Sequence, residues 1–236
     1  MSPAQFQLPA PVRPAIDAAR RVRDMSLMAD EPAPATVDPL RRIGTLAALA
    51  VLLGFVVQGL VLAAKLSFGG TTGAAAFAVD LAAGVAWSAV VCLGASIGVS
   101  AFRAKAALAG LVAALFAPLG VAAAKAANQT LSAAIGLSAK PAALPLIALA
   151  GLKAVEYAVL GFVLATLVQR GVQRLPPYAA TGLTVGLVFG GAALALRLAA
   201  ALATAPEIAA LAVNEIVFPV GCAAVVYLGQ AMGRAG

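Results

Sequence analysis

Apolar residues dominate the chain from Ile43 onward and fall into six runs, each separated from the next by a short polar or proline-containing break. The runs are Ile43–Leu66, Ala74–Ala101, Ala104–Ala127, Ala142–Val168, Tyr178–Ala203 and Glu207–Met232. At about 1.5 Å per residue, each can cross the roughly 30 Å hydrocarbon layer as a helix, some with tilt. The pattern predicts an all-α polytopic membrane protein, a bundle of about six transmembrane helices over residues 43–236.

Residues 1–42 follow a different pattern. This proline-rich stretch is the only long polar region, and a short helical candidate, Ala15–Met28, lies between its two proline clusters. Ile16, Ala19, Val22 and Met25 fall on one side of that candidate, with Arg20, Arg21 and Arg23 toward the others. A flexible cytoplasmic tail and an amphipathic helix held by anionic headgroups both fit. No cleavable leader is expected, since its apolar core would fall within the first 30 or so residues.

Composition narrows the class. Of 236 residues, 63% are hydrophobic and 11% charged, against about a quarter charged in a soluble domain. In this setting the net charge of +7 points to cytoplasmic loops and anionic lipid, and nucleic acid is not an expected partner. Arg13, Arg20, Arg21, Arg23, Arg41, Arg42, Arg103, Lys105, Arg170, Arg174 and Arg234 fall on one side of the bundle. Only Lys65, Lys125 and Lys140 fall on the other. The bias places both termini in the cytoplasm. Arginine in excess of lysine, with abundant alanine, suggests a GC-rich bacterium. The expected location is then the bacterial cytoplasmic (inner) membrane, as a multi-pass protein.

Local signals refine the bundle. Gly182, Gly186 and Gly190 recur every fourth residue in the fifth run, and Gly94 and Gly98 share that spacing in the second. Such faces predict helix packing in which backbones approach closely. Asn128–Pro141 is the one long connection, on the outer side, and suits an interfacial helix or a cap over the bundle. Its Asn128-Gln129-Thr130 fits a glycosylation triplet, a weak match. Leu175-Pro176-Pro177 is expected to stop the fourth helix, and Tyr178 and Tyr227 to anchor the inner interface.

The chemistry lies in a few polar residues. Cys92 and Cys222 sit inside apolar runs and read as two small buried thiols. The chain has no histidine, which excludes His-based triads. No metal or other cofactor is expected. Five charged residues lie more than three positions inside a run: Asp80, Lys153, Glu156, Arg197 and Glu215. Counting along the helices puts Asp80 and Arg197 about 9 Å, Glu215 about 12 Å, and Lys153 and Glu156 about 16 to 21 Å from the outer side. A central charge costs roughly 2.5 to 3.5 kcal/mol to insert, so these residues should face protein or water. If all five share one enclosed region, two cations meet three acids, and one carboxylate must keep a proton or recruit a cation. Glu215 is the candidate for that role, because Glu156 has Lys153 three residues away and Asp80 lies nearer the surface.

Two function classes fit this pattern. One is a small transporter or permeation protein whose buried charged site opens toward the outer side. The other is a non-catalytic accessory or assembly subunit, in which the charges grip another membrane protein or a second copy. An enzyme is the weakest fit, since no nucleophile–base pair can be read and only Asp80 with Glu215 offers a carboxylate pair. No phosphate-binding loop of the Walker type is present.

Overall fold

The computed structural model describes residues 39–102, 104–138, 145–200 and 203–232. The tail candidate Ala15–Met28 lies outside these residues. Among them the secondary structure is entirely helical: α1 Pro39–Ser67, α2 Ala74–Ala101, α3 Ala106–Ala134, α4 Leu146–Gln169, α5 Leu175–Ala200 and α6 Ala205–Met232. All six contain a stretch long and apolar enough to cross a membrane. The protein is an integral, multi-pass membrane protein. In hydrocarbon every backbone polar group must be satisfied within its own segment, and helices do this without a partner strand.

The helix ends explain where expected and observed boundaries differ. Gly69, Gly136 and Gly171 have φ of 78°, 70° and 67°, and each closes a helix in the same way. After α4, the Gly171 N–H bonds the Val168 carbonyl at 3.0 Å and the Val172 N–H bonds the Leu167 carbonyl at 3.0 Å. This is the paired closure that a left-handed residue permits, and glycine adopts that conformation without a Cβ penalty. Gly171 thus stops α4 before the prolines are reached. Pro176 and Pro177 instead sit in the first turn of α5, where a missing N–H costs nothing. The stretch Asn128–Ala134 forms the last turns of α3 and is not a loop or cap. At the start of α6, the Glu207 carboxylate accepts from the Thr204 N–H and hydroxyl at 3.0 and 3.1 Å, half of a capping box that begins the helix two residues early.

Small residues bring the helices together. α2 packs on α1 and α3 and also meets α4 and α6, so it runs through the middle of the assembly. The α2–α3, α3–α4 and α5–α6 seams are extensive, whereas α4 meets α5 and α6 more sparingly. Along α5, a Cβ at Gly182 would lie 2.5 Å from the Pro219 carbonyl oxygen, and one at Gly186 would lie 2.8 Å from that of Glu215. A Cβ at Gly190 would meet the Glu215 Cβ at 2.7 Å. The α5 glycine face therefore lies directly on the backbone of α6. Pro219, inside α6, has no N–H, so the Glu215 carbonyl four residues earlier loses its helical donor. The glycine face covers this spot. Large apolar side chains such as Leu52, Phe55, Leu115 and Val188 point outward and are exposed, as a lipid-facing surface requires.

Tyr178 departs from its expected role. It is fully buried, donates to the Val172 carbonyl at 3.1 Å, and packs on the Tyr227 ring at 5.3 Å. Tyr227 in turn donates to the Gln173 carbonyl at 3.3 Å. The turn between α4 and α5 has carbonyls left without helical donors, and the two phenols satisfy two of them. The pair pins a turn, with Tyr178 buried and Tyr227 partly exposed.

Candidate functional site

α4 carries Lys153 and Glu156 three residues apart, hence on one face. α6 carries Glu215. The starting points of the two helices set how these residues meet. Because α4 begins at Leu146 and not at Ala142, Lys153 and Glu156 lie about 10 and 15 Å from its start. Because α6 begins at Ala205, Glu215 also lies about 15 Å from its start. All three side chains share one level, and the two helices run in the same direction.

There they form a triad. The Lys153 ammonium donates to Glu156 Oε2 at 2.7 Å and to Glu215 Oε2 across the α4–α6 seam. The side chains of Lys153, Glu156 and Glu215 are 8%, 0% and 6% exposed, so the site is closed in this conformation. Glu215, expected to be the unpartnered acid, shares Lys153 with Glu156. A long stem and three rotatable donors let one ammonium serve two carboxylates. Glu156 Oε1 is the oxygen left without a hydrogen-bond partner, and the neighbouring Tyr157 hydroxyl is buried and unpartnered as well.

Aromatic rings wall the triad. Trp87 of α2, Tyr157 of α4 and Phe218 of α6 contact one another edge to face or tilted, with centroids 5.7, 5.8 and 6.3 Å apart. The ammonium lies 5.9 Å from the centre of the Trp87 ring, within cation–π range. The next residue of α2 is Ser88, whose hydroxyl donates to the Ala50 carbonyl of α1 at 2.5 Å. Cys92 and Cys222 are buried free thiols. Among the described residues, no three His, Cys, Asp or Glu side chains gather as a metal-binding group.

The other two charges lie elsewhere. Asp80 pairs with Lys65 of α1 at 2.8 Å, with the two side chains 41% and 24% exposed. Lys65 lies in the last turn of α1, close enough for its stem to reach across. Arg197 is in the last turn of α5, half-buried, and forms no ion pair among the described residues. The five charges thus divide into a triad, an acid paired with Lys65 from outside the set, and a cation near a helix end. For a partly exposed pair the net contribution is about 0 to 1 kcal/mol. Asp80→Asn should therefore shift the thermal unfolding of the purified protein only slightly, in contrast to any change in the triad.

Lys65, Trp87, Tyr157 and Phe218 were not singled out by sequence reasoning. For Tyr157 a signal existed: a phenol in mid-span is amphipathic where nothing is wet. Comparison with protein-family models, characterised proteins and solved structures finds no match. Function must be argued from the site itself.

Proposed function

We propose that this membrane protein is a small transporter or permeation protein, and that Lys153, Glu156 and Glu215 form the site its solute or coupling ion engages. The observation that carries this reading is a triad of both charge signs, sealed at one level inside the bundle, with one carboxylate oxygen unsatisfied. Ionisable groups within spans are expensive, and where they persist inside a bundle they commonly line pathways or relays. The triad bridges the sparing seam between α4 and α6, beside the Pro219 break, where movement disturbs the fewest contacts. With both termini in the cytoplasm of a bacterial inner membrane, the nearer helix ends face outward. Asp80 and Arg197 are then the first membrane-embedded charges a solute meets, while the basic tail rests against anionic lipid.

The accessory-subunit reading needs charges available to a partner. Lys153, Glu156 and Glu215 are buried and bonded to one another, so they offer little grip to an outside helix. The test is reconstitution of the full chain into liposomes loaded with a pH-reporting dye, under an imposed membrane potential and, separately, an imposed pH gradient. Wild-type protein should dissipate the gradient, and Glu215→Gln should fall to the protein-free background while remaining folded. No flux from the wild type, together with a stoichiometric partner on purification from native membranes, would overturn the proposal.

A further inference from the structure

We infer that the α2–α6 seam is the route by which water reaches the interior from the end of the bundle where α1 begins. The hydrogen bond between Gln230 and Ser100 is its closure, and Ser96 is the first polar site behind it. The inference takes its biological meaning from the transport reading, for which it supplies access to the triad from a second side. Water entry itself can be measured without flux.

Two contacts fix how α2 and α6 lie together. The Trp87 and Phe218 rings meet beside the triad, with centroids 5.8 Å apart. Toward the other end, Gln230 Nε2 donates to Ser100 Oγ at 3.2 Å. Trp87 to Ser100 covers about 20 Å of α2, and Phe218 to Gln230 about 18 Å of α6. The two helices therefore run side by side in the same direction over this stretch. Gly229, next to Gln230, lies against Leu46 near the start of α1. The seam thus joins the triad to the end of the bundle where α1 begins and α6 stops.

α2 carries Ser88, Cys92, Ser96 and Ser100 at every fourth position, hence along one side of the helix. Ser88 donates to the Ala50 carbonyl, and Ser100 accepts from Gln230. Ser96, one turn before Ser100, is 3% exposed, and its hydroxyl is buried without a hydrogen-bond partner. Other hydroxyls of this protein behave differently. Thr45, Thr166, Thr181 and Thr184 each donate to the carbonyl four residues back at 2.9 Å, the local bond open to any helical Ser or Thr. Ser96 has such a carbonyl at Cys92 and does not use it. A buried hydroxyl left in this state costs free energy that alanine would avoid, and a small hydrogen-bonding visitor recovers it. Tyr157, whose hydroxyl is also buried and unpartnered, packs on both Trp87 and Phe218 where the seam meets the triad.

The closure is built to part. Gln230 is buried, yet it lies within a turn of the end of α6 at Met232. An amide–hydroxyl bond is worth little net free energy once water can replace it, and no charge has to move. Parting it uncovers Ser96 about 6 Å further in. The line offers small, uncharged donors and acceptors, which suit water and hold no ion.

Ser96→Cys tests the route, in full-length protein whose native thiols are removed by Cys92→Ala and Cys222→Ala. A small, charged, membrane-impermeant methanethiosulfonate is applied to each face of sealed proteoliposomes in turn. Lys105→Cys, exposed in the connection after α2, identifies the face at which α1 begins. Ser96→Cys should react from that face, and about fivefold faster when Gln230→Ala removes the closing bond, the factor that one ordinary hydrogen bond is worth. Val91→Cys is equally buried but turned toward Gly120 of α3, and should stay unreactive with either residue at 230. Ser96→Ala, in the protein with its native thiols, should unfold at the same or a higher temperature, because it removes an unbonded hydroxyl. Emission from Trp87, the chain's single tryptophan, verifies that each variant keeps the seam packed. Four results would each overturn the inference: Ser96→Cys no more reactive than Val91→Cys, reaction from the opposite face alone, a rate indifferent to Gln230→Ala, or a lowered unfolding temperature in Ser96→Ala. Labelling without flux would count against transport and leave the route standing; flux without labelling would strike the route and leave transport.

Discussion

Lys153→Met should cost roughly 3 to 5 kcal/mol of stability, the range expected when one member of a buried ionic set is removed and its partners stay behind. Methionine fills about the same volume and keeps helix propensity, so the loss cannot be assigned to a cavity or to the backbone. What it removes is the one positive charge bonded to both Glu156 and Glu215, and with it the attraction of that charge for the Trp87 face. Two carboxylates are then left at one level of the bundle without the donor they share. The expected result is a large drop in the unfolding temperature in nanodiscs, with red-shifted Trp87 emission as the aromatic wall opens. A control separates charge from packing. Combining Lys153→Met with Glu156→Gln and Glu215→Gln removes every charge at nearly constant volume, and should recover most of the lost stability. If the triple variant is as unstable as the single one, the triad's contribution is steric and its electrostatic description is wrong.

The same residues show how far a sequence can be read. Six apolar runs were enough to give the number of spans and the all-helical class, because hydrocarbon permits few alternatives for a polar backbone. The ends of the runs were less legible, since apolar character does not stop where a helix stops. Gly171, and not the prolines, ends α4. Thr204 with Glu207 begins α6. Each difference is only a few residues, yet together they move Lys153 and Glu156 outward and Glu215 inward until the three meet. Pairing across 62 residues of chain is a property of packing, and no local pattern encodes it. The Lys65–Asp80 pair is not legible for a related reason: Lys65 ends its run, and only the packing of α1 on α2 brings it to Asp80. Charge counting treats all five residues as one set, whereas the structure sets Asp80 and Arg197 apart from the triad. Within the triad the buried oxygen without a hydrogen-bond partner belongs to Glu156 and not to Glu215.

Gly182→Ala should be the other severe substitution, despite adding a single methyl group. The new Cβ would lie 2.5 Å from the Pro219 carbonyl oxygen and 2.6 Å from the Val220 Cα. Both are backbone atoms, so no side chain can rotate away, and α5 must move off α6. Overpacking of this kind typically costs about 1 to 3 kcal/mol. In lipid the lost contacts are not replaced by any hydrophobic drive, because tails solvate an exposed helix face as well as protein does. The consequences extend beyond stability. The same glycine face covers Gly186 and Gly190, which hold the backbone and Cβ of Glu215, so shifting α5 loosens the helix that supplies one arm of the triad. Gly191→Ala is the matched control, because a Cβ there meets nothing within 4 Å and should be neutral or slightly stabilising through better helix propensity. Unfolding temperatures and Trp87 emission compared across wild type, Gly182→Ala and Gly191→Ala distinguish the cases. Equal behaviour of the two variants would mean that α5 does not rest on α6 through its glycines. A loss confined to Gly182→Ala, with altered emission from a tryptophan on a different helix, would tie the packing of the α5–α6 seam to the charged site between α4 and α6.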